Sequence, residues 1–132
     1  MPSVEQRHIA RLAGVDRVDD VRLCRTPSLP HPRDPLLRKM CRRTGFLGDD
    51  TLGVTLGHAI CLRPVIVDDI EIFAHECCHI AQVERLGSIS AFTRAYLEEI
   101  LVFGYASAPL EIEARSAGTS IARQFAGGSS NL

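Results

Sequence analysis

Residues 75–79 read His-Glu-Cys-Cys-His, and this short run carries the clearest chemistry in the chain. Histidines four apart stack on one helical face, so His75 and His79 can aim two imidazoles at one zinc ion. Glu76 follows the first histidine and lies beside that face. There its carboxylate can take a proton from an activated water and hand it to a leaving amine. Zinc is the cofactor this pattern selects, because it offers Lewis acidity, lowers the pKa of bound water and keeps a position open for a carbonyl. The reaction class is hydrolysis, with a peptide bond as the leading target. By chance such a pattern arises in a chain of this length in under about 1% of cases. The bland alternative is two histidines of an ordinary helix.

Two histidines and a water leave one ligand to find. His31 and His58 precede the motif, on a proline-rich segment and a presumed sheet, and are poor candidates. No third histidine follows, since residues 80–85 are Ile, Ala, Gln, Val, Glu and Arg. A downstream carboxylate is the natural choice. Glu111 and Glu113 in the run PLEIEA are the best placed; being two apart on a helix, they cannot both face one point. Glu98 and Glu99 are alternatives on the intervening helix. All four have an ordinary reading as helix-surface carboxylates. Gln82, three residues after His79, lies near the ligand face and could orient a ligand or mark a polar boundary. Tyr105 could donate to a developing oxyanion or simply pack between helices. Cys77 and Cys78 fill the variable positions of the motif and are read as packing residues.

The elements that must position these groups can be read from pattern. Residues 4–23 predict a short amphipathic helix and a polar turn around Asp16–Asp20. Four of the seven prolines fall between Thr26 and Pro35 and predict an extended connection; Leu36–Arg43 reads as one or two helical turns. Residues 51–67 are rich in glycine and β-branched residues and alternate in polarity, which predicts two short strands or a bent hairpin turning near Gly57. Pro64 marks the end of an edge. The motif helix begins near Asp68 or Asp69, runs through Ile72, Phe73, Ile80, Val83 and Leu86, and stops at Gly87. A second helix spans roughly 90–102, with Phe92, Tyr96 and Ile100 at four-residue intervals. Pro109 opens a third helix that reaches about Phe125, and the tail GGSSNL is expected to fray.

Bulk properties bound the function. The chain has 132 residues, 45% hydrophobic, a size and composition suited to one domain. The formal net charge is −1, but residues 1–46 carry +5 and the remainder −6. The basic part lacks interleaved aromatics, so a solvated surface is favoured over nucleic-acid binding. The five cysteines, Cys24, Cys41, Cys61, Cys77 and Cys78, are odd in number and include no CxxC, which argues against a secreted disulfide framework. With no signal-peptide pattern and no apolar run long enough to span a bilayer, a cytoplasmic protein without membrane association is expected.

HECCHIAQ, followed by FTRAYLEEIL and GYASAPLEIEA, resembles the small HExxH metallopeptidase-like domains of the gluzincin-like group, related to bacterial domains with an HELxHxxQ pattern. The resemblance covers about residues 50–118. It implies an α+β, minimal zincin-like fold: a small sheet or hairpin, the HExxH helix, and two following helices, one donating Glu. The family pattern Glu-x-x-Ala falls on Glu111–Ala114, which implies Glu111 as third ligand with Glu113 second; where gluzincins carry an acid after that alanine, Arg115 stands here. Gln82 matches the glutamine of the bacterial pattern. The chain then divides into a basic N-terminal segment 1–46 wrapping the core, a metallopeptidase-like core 47–126 and a flexible tail 127–132. The expectation is a zinc metallopeptidase acting on a peptide or protein. A catalytically weak or inactive, metal-stabilised domain that binds a protein partner is the alternative, and the oligomeric state is left open.

Overall fold

A computed structural model of the protein describes residues 2–27, 35, 53–63 and 69–130. The first helix, α1 (Val4–Leu12), starts where its sequence can satisfy its own amides. Ser3 Oγ accepts from Gln6 N at 3.0 Å while Gln6 Oε1 accepts from Ser3 N at 2.9 Å, a reciprocal cap. A 3-10 turn over Val18–Asp20 leads into strand β1 (Arg22–Arg25). Strands β2 (Gly53–Leu56) and β3 (Ala59–Leu62) form the expected hairpin around Gly57, whose φ of 63° suits a residue without Cβ. The sheet order is β1-β3-β2, with β1 parallel to β3 and β2 antiparallel to it.

The motif helix α2 (Ile70–Leu86) begins at Asp69, whose carboxylate accepts from Ile72 N at 3.0 Å, and ends at Gly87 in the left-handed conformation. Helix α3 (Ile89–Phe103) is capped by Ser88 and stopped at Gly104; α4 (Pro109–Ser130) follows after a short loop. The architecture is α+β, with four α-helices and a three-stranded sheet among the described residues. Ile60 and Leu62 present one face of β3 to Phe73, Ala74, Cys77 and Ile80 of α2; Ile9 and Ala10 of α1 and Ile121 of α4 close the same core. A second cluster gathers Val83, Phe92, Tyr96, Ile100, Ala108 and Leu110. None of the four helices is long and apolar enough to cross a membrane.

Two elements differ from the sequence pattern. Residues 22–25 form a strand, where the sequence pattern predicts helix and turn only as far as residue 23; its pattern of exposure does not alternate and its parallel partner lies far along the chain. Helix α4 continues to Ser130, past Gly127 and Gly128, because glycine costs a helix only about 1 kcal/mol per residue and bars it by no clash. The proline-rich connection beyond Pro27, the turns expected at 36–43, and His31, Cys41, Pro64 and Asp68 lie outside the described residues, apart from Pro35.

The far end of α2 is tied down by one side chain. Glu84 accepts the backbone N–H of Asp16 at 2.8 Å and of Arg17 at 3.0 Å, and His58 Nε2 lies 2.8 Å from its second oxygen. One carboxylate thus joins the N-terminal turn, the hairpin turn and the motif helix. Burial alone would raise its pKa, but these hydrogen bonds outweigh burial and hold it below the usual carboxylate value.

Candidate metal centre

Helices α2 and α4 pack together more extensively than any other pair of described helices, and Gly118 lets them approach. A Cβ at that position would stand 2.8 Å from the Glu71 carbonyl oxygen and 3.3 Å from His75 Cβ. The absent side chain lets α4 lie against α2 beside His75. Two turns back along α4, this brings Glu111 over the histidine face.

The result is a convergence of three groups. Glu111 Oε1 lies 2.9 Å from His75 Nε2, and Glu111 Oε2 lies 3.2 Å from His79 Nε2. All three ligand atoms fall within 4.8 Å of one another, and the group could hold a metal ion. Donor atoms about 2.0–2.1 Å from a tetrahedral zinc sit ~3.3 Å apart, close to the two spacings to Glu111. Glu113, the second choice from sequence, faces elsewhere: it accepts from Gln82 and Arg85. Glu99 accepts from Leu110 N at 2.7 Å and so caps the start of α4, and Glu98 is exposed.

Gln82 fixes the histidine that is most buried. Its side chain is fully enclosed; Nε2 donates to the Leu110 carbonyl at 2.9 Å and to Glu113 Oε1 at 2.8 Å. That leaves Oε1, 2.8 Å from His79 Nδ1, as the acceptor. A neutral His79 then carries its proton on Nδ1 and points the Nε2 lone pair at Glu111. A lone pair facing a carboxylate is stable only with a proton or a cation between them. Burial discourages charge on His79, but Glu111 bonded to it and Glu76 nearby raise its pKa. The same logic runs in reverse at Glu111. Burial would push its carboxyl up, yet the two imidazoles hold it well below the carboxylate range.

Glu76 is 6% exposed and is oriented from the sheet. Thr55 Oγ1 on β2 donates to Glu76 Oε2 at 2.6 Å. The sequence reading passed over Thr55, and its strand position opposite Ile60, facing the motif helix, was the available signal. Tyr96 was also missed, having been counted as an apolar helix position. Its hydroxyl donates to Glu111 Oε2 at 2.6 Å, and its ring meets His79 edge-on at 5.5 Å. The Tyr105 hydroxyl lies 3.4 Å from Glu111 Oε1. Burial and the Glu111 charge push its pKa up to about 12, so it stands as a proton donor at neutral pH.

Arg115 bonds the Ala106 carbonyl, bracing the loop that carries Tyr105. Cys77 and Cys78 are buried beside the site and outside the ligand set, as their packing role predicts. A cleft of about 40 Å³ opens over these groups, lined by Gly53, Val54, Thr55, Phe92 and Tyr105 beside the ligands and Glu76. It has room for an ion and a few waters. Scanning protein-family models finds no match to this chain, and no curated protein or solved structure matches it.

Proposed function

We propose that the protein is a zinc-dependent hydrolase of peptide bonds, built on a minimal zincin-like arrangement of strand, motif helix and ligand helix. One observation carries the reading: two imidazoles and a buried carboxylate converge on a single point beside a second carboxylate held by the sheet. His75, His79 and Glu111 would hold the ion. Bound there, zinc would polarise a carbonyl and make water more acidic.

The remaining chemistry belongs to the chain. Thr55 aims Glu76, which takes a proton from the attacking water and returns it to the departing nitrogen. Tyr105 keeps its proton and offers it as a hydrogen bond to the oxygen that gains charge. Strand β2 pairs only with β3 among the described strands, and its cleft-side residues Gly53–Thr55 offer an edge on which an extended peptide can align. The cleft takes no bulky side chain deeply, which favours a substrate held through its main chain.

Elemental analysis of the purified protein with and without supplied zinc tests the ion, and cleavage of a peptide library tests the reaction. About one zinc per chain is expected, lost in Glu111→Ala, with peptide cleavage abolished in Glu76→Gln while zinc is kept. A wild-type protein that takes up no zinc would end this reading. Zinc uptake without turnover would leave a metal-stabilised domain.

A further inference from the structure

We propose that Cys24 and Cys61 form a reversible disulfide that stitches β1 to β3. The two residues are register partners on adjacent parallel strands. In-register neighbours point to the same face of a sheet, and strands lie about 4.8 Å apart. That spacing falls inside the range of about 4.4–6.8 Å between Cα atoms that a disulfide accepts. Cys24 and Cys61 face each other across the β1–β3 ladder, with the Cys24 thiol otherwise making only a long contact, 3.9 Å, to the Arg25 carbonyl among the described residues. One is exposed and the other buried, 8% accessible. An oxidant reaches Cys24, and Cys61 waits beneath it as the resolving group.

The chemistry closes with a peroxide as oxidant. The Cys24 thiolate attacks a peroxide oxygen and breaks the O–O bond, giving a sulfenic acid and, with hydrogen peroxide, hydroxide. The Cys61 sulfur then attacks the Cys24 sulfur. The S–S bond forms, the sulfenic hydroxyl leaves, and it takes the Cys61 proton to become water. In sum, two thiols and one peroxide give one disulfide and two waters. A thiol reductant reverses the step by exchange.

The other described cysteines do not compete. Cys77 and Cys78 lie buried inside α2, out of contact with solvent oxidant. The pair also lies on the sheet face opposite Ile60 and Leu62, away from α2. It is independent of the metal reading and can be tested with chelator present.

The experiment treats the reduced full chain with one equivalent of hydrogen peroxide, blocks residual thiols with an alkylating agent and maps the peptides by mass. The expected product joins residue 24 to residue 61, disappears with dithiothreitol and does not form in Cys24→Ser. Because the bond closes a loop from 24 to 61, the oxidised chain should melt on the order of 10 °C higher than the reduced one. Cys24 recovered as a free thiol, as sulfinic acid, joined to Cys41 or joined to a second chain would overturn the proposal.

Discussion

Replacing Gln82 with methionine isolates what the glutamine does for the metal centre. The two side chains are similar in size, so the buried volume is nearly kept. Three short hydrogen bonds are lost, from His79 Nδ1, to the Leu110 carbonyl and to Glu113, beside a long contact to Cys78 Sγ at 3.9 Å. Glu113 is exposed enough to turn to water, but the other two groups are enclosed. Leaving a buried polar group without its partner costs about 1–3 kcal/mol, so two cost roughly 2–6 kcal/mol of folding stability. For the metal the loss has a different size. Freed from Gln82, His79 can carry its proton on either nitrogen and rotate, and loss of such an outer partner lowers metal affinity about 10–100-fold, or roughly 1.4–2.7 kcal/mol. The assay is competition for zinc against a chromophoric chelator, with chemical denaturation of the apo forms in parallel. A folded Gln82→Met protein that binds zinc within twofold of wild type would refute the argument. Gln82 would then be a packing residue whose contact with His79 does nothing for the site.

Gly118→Ala should cost about 1–3 kcal/mol, because the new methyl meets a backbone oxygen at 2.8 Å and the helices must part. Glu111 moves with α4, so zinc affinity should fall in the same variant, and a calorimetric titration checks both. Glu84→Gln should flatten the acid limb of the stability curve. Its depressed pKa gives stability that is present above the unfolded value of ~4.3 and is lost as pH falls through the lower folded value. Urea melts between pH 3 and 7 should therefore show the wild type losing more stability on acidification than the variant.

The motif helix and its pair of stacked histidines were legible because their signals are local. Asp69, Gly87, the four-residue histidine spacing and the hairpin glycine each act within a few residues. Spacing alone left Glu111 and Glu113 open, since both sit on one helix; the Glu-x-x-Ala resemblance favoured Glu111, and the approach of α4 to α2 brings that residue to the histidines. Gly118 carried that information as a lone glycine inside a helical pattern, a mark of close packing. Strand β1 was hidden because Arg-Leu-Cys-Arg has no apolar face and gains its identity from β3. Tyr96 shows the limit of hydrophobic spacing, which finds the buried face of a helix and is blind to the hydroxyl at the end of a buried ring. His58 was set aside as a ligand on good grounds, yet its bond to Glu84 needed the fold to bring the hairpin turn to the end of α2.

The bond from Arg115 to Ala106 ties the Tyr105 loop to α4. The groups of the candidate site come from two parts of the fold that meet at one seam. His75, His79 and Glu76 stand on α2 and Thr55 on β2; Glu111 stands on α4, with Tyr105 on the loop before it and Tyr96 of α3 bonded to Glu111. A cation held by both parts would act as a cross-link between segments 32 residues apart, from His79 to Glu111. Its occupancy would be read directly as resistance of the seam to opening, growing with the logarithm of free metal concentration.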